Sequence, residues 1–177
     1  MCDVMAIVLT VFVKGYEERE METKELLMHL CNKCYTPKIT TAQPQDVGAY
    51  PQFVKENWGV DDLILLEHDI VPTIQQLDEI RNCKYDVCNY SYYIPTSNGD
   101  NHTYGLLSNG LGLAKFSLNF QKQHNVNEVF NTNTFINIDI KVNEYLQKHN
   151  IAWHSHGIVK HNHKIEDLPM DFKLKQF

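Results

Sequence analysis

The sequence predicts an α/β fold: one domain over residues 1–177, with a mostly parallel central sheet flanked by helices. Three observations predict it. The stretch from Asp62 to Pro72 holds a continuous apolar run that stops on the acids Glu67 and Asp69, and a run apolar on both faces reads as a buried central strand of a parallel sheet. Val4 to Val13 is a second such run, rich in β-branched residues. Segments with helical spacing alternate with these strands, and no internal repeat interrupts the order.

Taken in order, Val4 to Val13 is the first strand and Lys14-Gly15-Tyr16 the turn at its carboxyl end. Glu17 to Cys34 reads as a helix. Met21, Leu26, Leu27, Leu30 and Cys34 fall near the 3.6-residue period, and the acids gather in the first turns, where the helix dipole favours them. Pro37 is expected to end it. Ile39 to Ala42 reads as a short strand, Gln43 to Asp46 as a loop, and Val47 to Asn57 as a short helix interrupted by Pro51. After the central strand, Thr73 and Gln76 have capping-box spacing, and Ile74, Leu77 and Ile80 line one helical face.

Tyr85 to Tyr93 reads as the next strand. Its tyrosines Tyr90 to Tyr93 fit a core better than a groove for sugar rings, though aromatic faces suit both. Ile94 to Thr103 reads as a loop. Tyr104 to Phe116 carries Gly105, Gly110 and Gly112, and glycines in a strand mark close approach by backbone or ligand. Asn125 to Asn133 is expected to be a polar loop, Phe135 to His149 a helix, and Ile151 to Val159 the last strand. A histidine-rich segment covers 153–177.

Composition narrows the function. The apolar fraction of 43% and charged fraction of 21% are ordinary for a globular domain. A net charge of -6 argues against a nucleic-acid binder that works by general phosphate attraction. It leaves a nucleotide site open, because a bound metal supplies local positive charge. The apolar run at Val4 to Val13 is too short to span a bilayer and lacks the flanks of an export signal, so a cytoplasmic protein is expected. In that compartment five cysteines, an odd number, are expected to be free thiols.

The central strand stops on Glu67-His68-Asp69. Ligands of parallel sheets sit outside the carboxyl ends of the strands, so these residues fall where the fold puts its chemistry. Read as extended chain, Glu67 and Asp69 share one face and His68 points away. Two carboxylates there suit a hard divalent cation such as Mg2+ or Mn2+, although polar residues also end many ordinary strands. His154, His156, His161 and His163 lie close together near the end. One of them can join Asp69 on a metal, or all can belong to a solvated tail. A four-thiolate zinc site would need Cys31, Cys34, Cys83 and Cys88 to converge, and Cys83-x4-Cys88 lacks the usual spacing. Periodicity alone reads Asp139 as an exposed helix acid.

Leu65 to Thr73, with Glu67-His68-Asp69 inside it, resembles the Asp-x-Asp motif region of GT-A glycosyltransferases, and of small bacterial and phage proteins similar to them. Gly110-Leu111-Gly112-Leu113-Ala114-Lys115-Phe116-Ser117 is similar to a second string of those proteins. His154-Ser155-His156-Gly157 with His161-Asn162-His163 is similar to a third. The resemblance covers about Val4 to His163. It implies a GT-A-like, Rossmann-like fold and a metal-dependent, inverting glycosyltransferase. Such an enzyme moves a sugar from a nucleoside-diphosphate sugar to a hydroxyl acceptor.

The roles it implies are these. Asp69 binds the Mn2+ or Mg2+ that holds the donor diphosphate. Glu67 contacts the ribose, or the metal through water. His156, His161 or His163 completes the coordination. Asp139 is the catalytic base, and residues near Val11 to Tyr16 and Gln43 to Asp46, Gln43 among them, flank the nucleotide base. The motif departs from the family in reading Glu-His-Asp, and the chain is short for the fold. Two other classes remain: a non-catalytic nucleotide-sugar or metal-binding domain, and a metal-dependent hydrolase using Asp69 and the histidines as a two-metal site.

Overall fold

The structure, a computed structural model, describes residues 5–30, 34–97 and 103–162. Its strands are β1 (Ala6–Val13), β2 (Tyr35–Ala42), β3 (Asp62–Leu66), β4 (Ile70–Val71), β5 (Val87–Ser97), β6 (Thr103–Phe116), β7 (His154–Ile158) and β8 (Lys160–His161). Six of them form one sheet in the order β2-β1-β3-β6-β5-β7, and β4 pairs with β8 in a separate ribbon. β1 is parallel to β2 and β3, and β5 is parallel to β7. β6 is antiparallel to both β3 and β5, so it is the one strand of the six that runs against the rest.

The helices are α1 (Glu17–Leu30), α2 (Ala49–Asn57), α3 (Ile74–Arg81), α4 (Leu118–Gln123), α5 (Val126–Val129) and α6 (Ile138–Lys148). Alternation along the strands sorts them into two layers. Ala6, Val8 and Phe12 of β1 and Ile64 and Leu66 of β3 pack with Leu27 and Leu30 of α1 and Leu77 and Ile80 of α3. Ile7, Leu9, Leu63 and Leu65 point the other way. They pack with Val54 of α2, Phe120 of α4, Val129 of α5, and Ile138 and Val142 of α6. Both faces of β3 are therefore covered, which explains its unbroken apolar sequence.

The connections locate the crevice. From β1 the chain crosses by α1 to β2 on one side, then returns by α2 to β3 on the other side of β1. Right-handed crossovers in opposite directions put α1 and α2 on opposite faces. The point between β1 and β3 is thus a topological switch, where open α/β sheets bind ligands beyond the carboxyl ends of their strands. Glu67 and Gly15 lie at those ends. Gly15, with a φ of 92°, makes the turn that the sequence places there.

Several expectations change. Pro37 lies within β2 instead of ending a helix; β2 is an edge strand, where a missing N–H is tolerated. Pro51 is the third residue of α2, inside the first turn, and leaves the helix whole. The capping box at Thr73 and Gln76 forms, worth about 1 kcal/mol. Pairing of β5 with β6 extends through Ser97 and resumes at Thr103, where a loop is expected. Part of the expected polar loop 125–133 is the short helix α5, capped by Asn125. Tyr90 and Tyr92 are core residues and Tyr93 is exposed.

The expectation of free thiols is corrected at Cys83 and Cys88, which are joined as a disulfide across the loop before β5, and at Cys34, which is disulfide-bonded as well. Val4, Cys31 to Lys33, Asn98 to His102, and His163 with the rest of the histidine-rich tail lie outside the described residues.

Candidate functional site

The expected extended geometry of Glu67-His68-Asp69 is also corrected. β3 ends at Leu66, and the next residues form a turn in which the Ile70 N–H donates to the Glu67 carbonyl, 3.2 Å away. Alternation along a strand therefore does not set their directions. Neighbouring elements do.

Glu67 is fixed by its N–H, which donates to the Gly112 carbonyl at 2.9 Å. β6 approaches closely here. A Cβ on Gly112 would lie 2.6 Å from Tyr92 Cε1 and 3.0 Å from Ile70 Cγ1. This is the close backbone approach that the strand glycines signal. The Glu67 carboxyl is partly buried. Burial pushes it well above the ordinary carboxylate range, and the charges of Asp139 and then Asp69 push it the same way.

Asp139, the second residue of α6, comes to the same place. Its Oδ1 accepts from the Leu111 N–H at 3.2 Å. Burial raises this carboxyl as well, against the pull of that hydrogen bond. Its own backbone is held in turn: Asn143 donates to the Asp139 carbonyl at 2.9 Å, and Trp153 Nε1 donates to Asn143 Oδ1 at 2.7 Å. Tyr50, on α2, completes the group. Its buried hydroxyl finds no partner among the described residues. Burial and the charges of Glu67 and Asp139 push its ionisation far up, so it is a neutral O–H donor at any working pH.

Asp69 is buried beneath the β4–β8 ribbon. Ile70 pairs with His161 in that ribbon, and the Asn162 N–H donates to the Asp69 carbonyl at 2.8 Å. His161 Nε2 lies 3.3 Å from Asp69 Oδ2. Its Nδ1 lies 2.9 Å from the Tyr93 carbonyl, which only accepts, so Nδ1 carries a proton. In the neutral tautomer the Nε2 lone pair then faces the Asp69 carboxylate. At that distance a proton carried by either partner, or a cation shared between them, bridges the two atoms.

The other expected residues separate. His68 points away, as expected, with Nδ1 3.3 Å from Glu20 Oε1 and its ring against Tyr16. Gln43 follows β2 at the same end of the sheet, with an exposed side chain and a carbonyl accepting from the Asp46 N–H at 2.9 Å. His156 is on β7, stacked on Tyr90 and grouped with Cys83 and His154, in a cluster separate from the Asp69–His161 pair. Burial and the neighbouring His154 hold its imidazole below the ordinary value.

The site thus gathers Glu67, Asp69, Asp139, Tyr50 and His161. Tyr50 is the member that sequence reasoning missed; a single tyrosine at the start of a short helix carries no spacing signal. Asp69 and His161 are the pair within this group that could share a cation. No family model matches the chain, and no curated protein matches it either.

Proposed function

We propose that the chain is a metal-dependent glycosyltransferase of GT-A type that moves a sugar from a nucleoside-diphosphate sugar to a hydroxyl acceptor. The observation that carries this reading is the Asp69–His161 pair, 3.3 Å apart at the exit of β3, beside the raised carboxyls of Glu67 and Asp139. A divalent cation bound by Asp69 and His161 would neutralise the donor diphosphate and stabilise charge on the leaving group as a Lewis acid.

The chain's own residues supply the rest. Glu67, whose carboxyl holds its proton to unusually high pH, donates to or bridges the donor's ribose. The Tyr50 hydroxyl is a second donor facing the same group. Asp139 takes the proton of the acceptor hydroxyl. Its raised pKa makes it a stronger base than an exposed aspartate, and the Leu111 N–H keeps its carboxyl in place. A base on one side of the sugar and a leaving diphosphate on the other give inversion. Gln43, beyond β2, lies at the end of the sheet where the nucleotide base would rest.

The two-metal hydrolase draws less support, since it needs several histidines around Asp69 and His156 turns to another cluster. The non-catalytic alternative is separated by turnover. The test is release of nucleoside diphosphate from a panel of sugar donors with Mn2+. The reading expects metal-dependent release for one donor, lost in Asp69→Ala and cut by Asp139→Asn. Release of inorganic phosphate without any sugar donor, surviving Asp139→Asn, would point to the hydrolase.

A further inference from the structure

A second group of metal-ligating side chains lies toward the other end of the sheet. Cys83 follows α3, Cys88 is the second residue of β5, and His154 and His156 are on β7. Cys88 pairs with His154 in the β5–β7 register. One ligand atom each from Cys83, His154 and His156 lies within 4.8 Å of the others, and Cys88 is bonded to Cys83. We propose that, with both cysteines reduced, Cys83, Cys88, His154 and His156 form a structural Zn2+ site that fastens β7 to β5.

Ligand type selects the ion. Two thiolates and two imidazoles suit Zn2+ and not Mg2+ or Mn2+. Tetrahedral zinc with its usual bond lengths places ligand atoms about 3.5 Å apart. The cluster needs only a small contraction to reach that spacing. A second observation also points to a ligand: His156 Nε2 is buried and finds no hydrogen-bond partner among the described residues. The outer shell is already built. His154 stacks on Tyr85 and His156 on Tyr90, whose hydroxyl donates to Glu79. Lys115 Nζ donates to the carbonyls of Cys83 and Arg81 at 2.9 and 3.0 Å, which pins the loop that carries Cys83. Such orientation of the ligands is what a metal site requires of its surroundings.

The strand itself gives the reason. β7 is an edge strand whose five residues, His-Ser-His-Gly-Ile, are all at least partly exposed. Little apolar burial holds it. It nevertheless leads directly to β8 and His161, so a cross-link at its start would fix the segment that delivers His161 to Asp69.

The sulfur chemistry balances. A thiol reductant supplies two electrons and two protons to the Cys83–Cys88 bond, which becomes two thiols while the reductant becomes its own disulfide. Zn2+ then displaces the two thiol protons on binding. The disulfide and the zinc site are alternative states of the same two sulfurs, and the inference stands whether or not the chain transfers sugars.

The test uses the full chain, reduced with a thiol and loaded with Co2+ as a spectroscopic stand-in for Zn2+. The expected result is a thiolate-to-cobalt charge-transfer band at one equivalent. It should be lost in Cys83→Ser and in His156→Gln and retained in Asp69→Ala. In the unaltered chain, Zn2+ should slow alkylation of Cys83 and Cys88 at least tenfold, with a chelator restoring it. That measurement needs no variant to fold. Absence of the band in the reduced chain, its undiminished survival in either Cys83→Ser or His156→Gln, or alkylation indifferent to Zn2+ would overturn the site.

Discussion

The two ends of the sheet carry different ligand chemistry. Beyond β3 lie Glu67, Asp69 and Asp139, with one histidine and the Tyr50 hydroxyl. At the start of β5 and β7 lie Cys83, Cys88, His154 and His156. The first set is rich in oxygen and partly open. Its carboxyls repel one another, and that repulsion helps to raise Glu67. The second set is sulfur and nitrogen, and its members already touch one another or stack on tyrosines. The difference teaches how to divide the histidines. They read as one cluster in the sequence, yet β7 gives His154 and His156 to the cysteines, and the β4–β8 ribbon gives His161 to Asp69.

The largest effect is expected at Asp139. Asp139→Asn should lower turnover by about 10²–10⁴-fold while donor binding persists, since it removes only a proton acceptor. Steady-state kinetics beside calorimetric donor binding would check it. An unchanged rate would leave the oxygen-rich end without its base.

Next in size is Gly112→Ala. The added methyl meets Tyr92 and Ile70, so unfolding in denaturant should show a loss of about 1–3 kcal/mol. The same change should weaken donor binding, because Gly112 holds Glu67. Metal binding by the cysteine end should be unaffected.

A smaller effect follows pH. Glu67 has a raised folded pKa, so the metal-free folded chain holds its proton more tightly than the unfolded chain does. That contribution to stability is fully present below the unfolded value of about 4.3. It is lost as pH rises through the raised folded value. Glu67→Gln should flatten this fall in a series of unfolding temperatures, and an undiminished slope would place the repulsion elsewhere. The smallest change is expected for Tyr50→Phe. Removing a buried hydroxyl that has no partner among the described residues should leave stability within about 1 kcal/mol or raise it, while donor affinity falls several-fold.

Much of the frame was legible in the sequence. The apolar run of β3, the β-branched β1, the capping box at Thr73 and the helix around Asp139 carry local signals that tertiary packing leaves intact. The site was legible only in part. Glu67 and Asp69 announce themselves by ending an apolar strand, but their directions depend on a turn after Leu66 and on pairing with distant β8. Asp139 reads as exposed from periodicity because what buries it is β6, at Leu111. Tyr50 enters through the crossover of α2, and Cys88, bonded to Cys83, meets His154 through the β5–β7 register. Neither leaves a trace in local spacing. α4 and α5 are too short for a periodic signal and hold by their caps Ser117 and Asn125.

The most direct test of the oxygen-rich end is thermal unfolding with nucleoside diphosphates and their sugars, with and without Mn2+. A ligand that binds only the folded chain raises its stability, by about 2.7 kcal/mol at a hundredfold excess over its dissociation constant. A metal-dependent nucleotide site requires that one nucleotide raise the unfolding temperature only when Mn2+ is present, and that Asp69→Ala abolish the rise. No rise with any nucleotide, or a rise that persists in Asp69→Ala, would contradict it.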